Sequence, residues 1–306
     1  MCSIRGQLSL PNRVRNKQTG QGVEKAGSPK LKGDSATTGS LESTRFWRME
    51  MTTTPLDDPQ EGITFLSLRG RGRLNLLGRS SFVALTEDLD RVRGDGQARV
   101  VVLSGAGETA FSAGVDLNEM KELQPEGAES FIRALHQATR GLLTLPVPAI
   151  AAVRGPCLGG ALELALCCDL RIVAEDALLG LPEVKVGVPS VIEASLLPRT
   201  IGLGRARAMV LTGESVTAQE ALQMGLVDQV VPVDQLQQVA VTAARGFLGM
   251  SANALSVQKE VVVKWLDLGE EAAAEYSIKA FAGCFATPDP REAMTAFLEK
   301  RAPRFQ

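Results

Sequence analysis

The sequence predicts an α/β protein, a layered core of strands alternating with helices followed by an almost wholly helical C-terminal region. Short apolar runs of strand length at 62–68, 98–104, 149–153 and 169–174 are separated by stretches of helical periodicity. Each run leads into a glycine-containing turn, as layered α/β folds require. From about Asp234 onward Ala, Glu, Lys and Leu dominate and strand patterns cease.

Taken in order, residues 62–68 alternate like a half-buried strand. Residues 80–93 place Phe82, Leu85, Leu89 and Val92 on one helical stripe, with Glu87, Asp88 and Asp90 expected on the surface. Residues 98–104 read as a buried strand, and 130–145 as a helix stopped by Pro146 and Pro148. A strand at 149–153 precedes a turn at 155–160. Residues 161–168 are apolar nearly all round, which predicts a central buried helix, and 169–174 return as a strand. Thr287-Pro288-Asp289-Pro290 breaks the helical region before a final amphipathic helix, expected to cover the core or pack on another subunit. The domains expected are a leader at 1–50, a core at 51–233 and a helical region at 234–306.

The leader differs in composition from the rest. Met1–Arg48 carries nine Lys/Arg and three Asp/Glu, net +6, within a 306-residue chain of net charge −2. It is rich in Gly, Ser and Thr and has no periodicity, so it cannot bury enough apolar surface to fold. A disordered leader, or an over-extended reading frame starting in truth at Met49 or Met51, is preferred to a transit segment. No uninterrupted apolar run reaches about 18 residues, so no spanning helix and no membrane partner is expected. Cys2, Cys157, Cys167, Cys168 and Cys284 show no C-x-x-C spacing and read as free thiols of a reducing compartment. The expected location is cytoplasmic, or the mitochondrial matrix if the leader directs transit. The single histidine, His136, leaves little for a zinc site or a Ser-His-Asp system, and is assigned a structural or surface role; no metal is expected.

Gly105-Ala106-Gly107-Glu108-Thr109-Ala110 matches the dinucleotide fingerprint G-x-G-x-x-A after a strand. A second turn intervenes before any helix, so a surface turn is the preferred reading. Ala113-Gly114-Val115 and Leu158-Gly159-Gly160 are stronger candidates, because each leads into a helix whose first N–H groups lack intrahelical acceptors. Two such turns could form an oxyanion hole, whose preorganised donors are each worth roughly 3–4 kcal/mol in a transition state. Glu163 falls in the first turn of the apolar helix, where an acid is either partnered or used. Glu183 follows Pro182, which stiffens its approach.

Several ordered stretches resemble the enoyl-CoA hydratase/isomerase (crotonase) superfamily. They are Phe111-Ser112-Ala113-Gly114-Val115-Asp116-Leu117, Arg154-Gly155-Pro156-Cys157-Leu158-Gly159-Gly160-Ala161-Leu162-Glu163 and Leu181-Pro182-Glu183. Leu211-Thr212-Gly213-Glu214, Ala218-Gln219-Glu220-Ala221, Gly225-Leu226-Val227-Asp228, Val231-Pro232 and Ala296-Phe297-Leu298-Glu299-Lys300-Arg301 continue the likeness, which covers roughly 62–305. The resemblance implies a spiral of ββα turns whose helical C-terminal region packs in trimers, often paired into hexamers. It implies that the Val115 and Gly160 N–H groups hold a thioester oxygen, and that Glu163 and Glu183 are the two catalytic carboxylates of a hydratase. Coenzyme A would belong to the acyl-CoA substrate, with no separate cofactor, and the segment around Ala113 would meet its adenine end. Ala113, Gly114, Asp116, Leu117, Gly159, Pro182, Ser190 and Glu193 are the substrate-binding candidates.

Hydration of a 2-enoyl-CoA thioester is therefore the expected reaction, within fatty-acid or related acyl-CoA metabolism. Glu163 is expected to activate water and Glu183 to protonate C2, with the reverse order or a single shared carboxylate left open. A Δ3,Δ2-enoyl-CoA isomerase or another acyl-CoA reaction of the superfamily is the alternative. A protein binding RNA through its basic leader is disfavoured, because a charge run is usually only solvated. One stretch departs from the family pattern: after Gly187-Val188-Pro189, Ser190-Val191-Ile192-Glu193-Ala194 replaces a glycine-rich run and is one residue shorter. Its larger side chains should reshape the acyl pocket, and Glu193 either brings a third carboxylate toward the site or takes a surface or salt-bridged role.

Overall fold

Four windings of the chain repeat one pattern in the computed structural model, which describes residues 62–305; the leader expectations lie outside them. The first winding has β1 (Ile63–Leu68), a turn ending in a bridge from Leu77 to Val115, and α1 (Arg79–Gly94). The second has β2 (Val100–Gly105), a segment bridging Ser112 to Cys157, α2 (Leu117–Met120) and α3 (Pro125–Leu143). The third has β3 (Ala149–Val153), β4 (Pro156–Leu158) and α4 (Gly160–Leu166). The fourth has β5 (Leu170–Ala174) and β6 (Leu178–Gly180), then 3₁₀ turns at Glu183–Val186 and Ile192–Leu196, α5 (Leu197–Ile201) and α6 (Leu203–Thr212). β7 (Val216–Thr217), α7 (Ala218–Met224) and β8 (Gln229–Val231) complete the core.

The first strands of these windings form a parallel sheet in the order β1-β2-β3-β5-β8. The second strands form a smaller sheet, β4-β6-β7, and the Leu77–Val115 and Ser112–Cys157 bridges carry that layer back to the earlier windings. Two strands and a helix, repeated, make the ββα spiral that the resemblance implied.

A parallel sheet covered on both faces needs apolar residues at successive positions. In β2, Val101 and Leu103 point into a core shared with Phe82, Leu85 and Leu89 of α1 and Phe131, Leu135 and Leu142 of α3. Val100 and Val102 point the other way, with Ile150 and Ile172, against Ala240, Val241 and Ala244 of α8 (Leu236–Leu248). Each such large side chain contributes about 1.5–3 kcal/mol on burial. Helices α9 (Ala252–Asp267), α10 (Glu270–Cys284) and α11 (Asp289–Leu298) follow, with the Thr287–Pro290 break between the last two. Helix α11 buries Ala296 but leaves Phe297 and Leu298 at least 80% exposed.

Some local expectations are corrected. Asp88 is buried, not on the surface, because Arg69 (2.6 Å) and Arg91 both grip its carboxylate. Helix α3 begins at Pro125, five residues early, since proline at the first helical position lacks only an N–H that would have had no acceptor. The turn expected at 155–160 contains β4, which is too short to show periodicity. The G-x-G-x-x-A stretch is an exposed turn, and the next helix starts only at Leu117. A Cβ at Gly105 would lie 2.2 Å from the Ala110 carbonyl oxygen, so this glycine serves a close backbone crossing. Among the described residues no helix is long and apolar enough to cross a membrane.

Candidate active site

All seven residues of α4 are buried, Glu163 among them. The turn into this helix passes through Gly159 at φ +59, a left-handed conformation that favours glycine. A Cβ there would also lie 2.8 Å from Oε1 of Glu183, so the second acid rests directly against the start of the helix carrying the first. Glu183 opens the 3₁₀ turn after Pro182, and its Oε2 accepts a 2.7 Å hydrogen bond from Ser190 Oγ. Oε2 of Glu163 accepts from the backbone N–H groups of Glu193 (3.0 Å) and Ala194 (3.3 Å).

The two turns proposed as anion holders lie side by side. Ser112 N donates to Pro156 O (2.9 Å) and Leu158 N to Ser112 O (3.0 Å), which fixes the 112–115 segment along β4. Around them nearly every N–H is used: Ala113 bonds Leu74 O, Gly114 bonds Ser112 Oγ, Asp116 bonds Leu77 O and Gly159 bonds Gly180 O. The N–H groups of Val115 and Gly160 are the exceptions in these two turns, entering no hydrogen bond among the described residues. Paired free donors beside two acids suit an oxygen that gains negative charge.

Burial, then the carboxylates of Glu183 and Glu193, push Glu163 from the ordinary 4.5 up to about 8, against the opposing pull of the Ala194 and Glu193 N–H groups. Glu163 therefore holds a proton more tightly than an ordinary carboxyl does.

The family model described as Enoyl-CoA hydratase/isomerase matches residues 58–306. The chain belongs to this family. The short-chain-enoyl-CoA hydratase of Clostridium acetobutylicum is 34% identical over 229 residues, 74% of this chain and 88% of that protein. The crotonyl-CoA hydratase of Syntrophomonas wolfei is 32% identical over 81% of this chain and 96% of its own. The crystal structure of an enoyl-CoA hydratase from Bacillus anthracis superposes with a TM-score of 0.77 at 34% identity, covering 81% of this chain and 97% of that one.

Within this enoyl-CoA hydratase/isomerase family member the other candidates take distinct positions. Asp116 is buried, caps α2 through Asn118 N and pairs with Arg71 at 2.7 Å, so its carboxylate is already engaged. Leu117 is exposed, whereas Ala113 and Gly114 lie in the segment fixed along β4. Ser190 touches an acid directly. Glu193 is buried, but its carboxylate turns to α3, where Thr139 Oγ1 donates at 2.5 Å and His136 Nδ1 lies 2.8 Å away. The salt-bridged alternative for Glu193 thus describes its side chain, while its N–H reaches the site.

Thr139 and His136 are the residues sequence reasoning missed as neighbours of the site. Thr139 carried a usable signal, a polar residue on the buried stripe of Leu135, Ala138 and Leu142. The three buried thiols are poor nucleophiles: burial raises Cys157 and Cys167, and pushes Cys168 up to about 12. No group of three His, Cys, Asp or Glu among the described residues could hold a metal ion.

Proposed function

We propose that this protein is an enoyl-CoA hydratase, adding water across the C2=C3 bond of 2-enoyl-CoA thioesters. The observation that carries the reading is the convergence of Glu163 and Glu183 on the turn where the Gly160 N–H is free. The thioester oxygen would accept from Val115 and Gly160, which stabilise the enolate that forms as water oxygen bonds C3. One carboxylate takes the water proton and the other gives a proton to C2, so the pair starts and ends the cycle with a single proton. The raised affinity of Glu163 for that proton supplies it near neutral pH. Coenzyme A enters as part of the substrate, and the reaction as written needs no further cofactor.

A panel of enoyl-CoA esters, short, long, branched and aromatic, tests this through loss of conjugated-thioester absorbance and a product heavier by one water. Glu163→Gln and Glu183→Gln should each lower turnover by about 10²–10⁴-fold with the fold retained. Near-normal hydration by both variants would remove the paired-acid mechanism, and a product of unchanged mass would indicate isomerisation instead. Self-assembly through the C-terminal helices, as a trimer or hexamer, is part of the same proposal. Phe281 and Phe285 line a groove there of about 470 Å³ together with Val261, Trp265 and Met294, and Phe297 is exposed on α11.

A further inference from the structure

The stretch that replaces the family's glycine-rich run holds an uncommon backbone. Ile192 has φ +44, a left-handed conformation in which a β-branched residue is a genuine outlier. Such a conformation persists only where surrounding contacts over-determine it. Directly after it, the N–H groups of Glu193 and Ala194 turn onto Glu163 Oε2. The contacts that could hold this turn are visible: the buried Glu193 carboxylate is fastened to α3 by Thr139 Oγ1 and His136 Nδ1.

We propose that Glu193 is a positioning residue, which clamps the strained Ile192–Ala194 turn to α3 and thereby aims two N–H groups at the carboxyl of Glu163. Glycine would adopt the same backbone without help; this chain uses isoleucine plus a hydrogen-bonded clamp. The clamp joins α3 to α4 across the site and adds a fixed negative charge beside Glu163. The inference rests on the hydratase reading for its kinetic consequence, though not for its structural one.

The ionisable groups around this charge are Glu163 on α4 and Cys167 at its C-terminal end, His136 and Arg140 on α3, and Glu183 on the neighbouring 3₁₀ turn. Glu193→Gln keeps an acceptor for Thr139 but removes the charge, so Glu163 should lose its proton at lower pH. The alkaline limb of kcat/KM should then move to lower pH while Tm is retained. Glu193→Ala removes the clamp, and kcat should fall about 10–10²-fold with KM little changed, the scale expected for a displaced reacting group. Adding Ile192→Gly to Glu193→Ala should restore much of that loss, because glycine takes positive φ freely. A purely structural role would not produce this rescue.

A Glu193→Ala deficit that Ile192→Gly leaves untouched overturns the positioning role, and an alkaline limb unmoved in Glu193→Gln overturns the charge's share in it. If the wild-type protein hydrates no enoyl-CoA, the hydratase reading fails separately. The titration of Glu163 is then followed by comparing Tm against pH for each background and its Glu163→Gln partner. A titration that Ile192→Gly moves to lower pH in the Glu193→Ala background, as restored N–H groups on Glu163 require, upholds the positioning role, and one that it leaves unmoved removes it.

Discussion

Glu163 is a buried acid whose native environment favours its neutral form, and this ties stability to pH. Its folded value of about 8 lies above the ordinary 4.5, so the native state holds the proton more tightly than the unfolded chain. The resulting stabilisation is complete below about 4.5 and is lost as pH rises through 8, a change of roughly 5 kcal/mol at most. Glu163→Gln cannot titrate. Its Tm relative to wild type should therefore climb between pH 4.5 and 8 and stay level outside that window, as thermal melts across pH would record; a difference independent of pH would refute the assignment. The two acids were legible in the sequence because each interrupts its surroundings, Glu163 an apolar helix and Glu183 a Gly-Leu-Pro approach. The Glu193–Thr139 contact was not, since it joins positions 54 apart. Nor was the left-handed Ile192, which ordinary β-branched preferences argue against.

At the scale of elements, the turn from β4 into α4 does two things with one conformation. Gly159 reverses the chain so that the Gly160 N–H is left free, and its missing side chain leaves room for the Glu183 carboxylate. Gly159→Ala should cost about 1–2 kcal/mol for the left-handed backbone. It should lower turnover far more than that figure implies, because the new methyl group displaces an acid. Activity beside a urea titration checks this, and an active variant with the expected stability loss would show that Glu183 can move without penalty. The longer elements were readable. β1 alternates like a half-buried strand, β2, β3 and β5 are short runs dominated by Val, Ile, Leu and Ala, and α1 has an unbroken stripe at Phe82, Leu85, Leu89 and Val92. β4, β6 and β7 were not, at two or three residues each, because only their pairing partners define them. The two donor turns stood between these cases: their glycines marked them, and only the folded chain laid them together along Ser112–Cys157.

At the scale of the whole molecule, the C-terminal helices carry several exposed large apolar side chains. Phe281 is 69% exposed and Phe297 83%. Exposed aromatic side chains of this kind are what the proposed self-assembly would cover. Phe281→Glu combined with Phe297→Glu should shift the protein toward monomer in sedimentation velocity with its helical content preserved. Persistence of the wild-type sedimentation coefficient would move the association surface elsewhere, and a monomeric wild type would dispense with it.

The larger sheet has a further property in its order, β1-β2-β3-β5-β8, which never doubles back. A ribosome releasing this chain from its N-terminal end would deliver each strand in the sequence in which it is laid down. Every newcomer meets one waiting edge and has no earlier arrival to displace. Parallel pairing of distant segments is otherwise slow and leaves strand edges open to misassembly. Here vectorial synthesis shortens that exposure to the interval between one strand and the next.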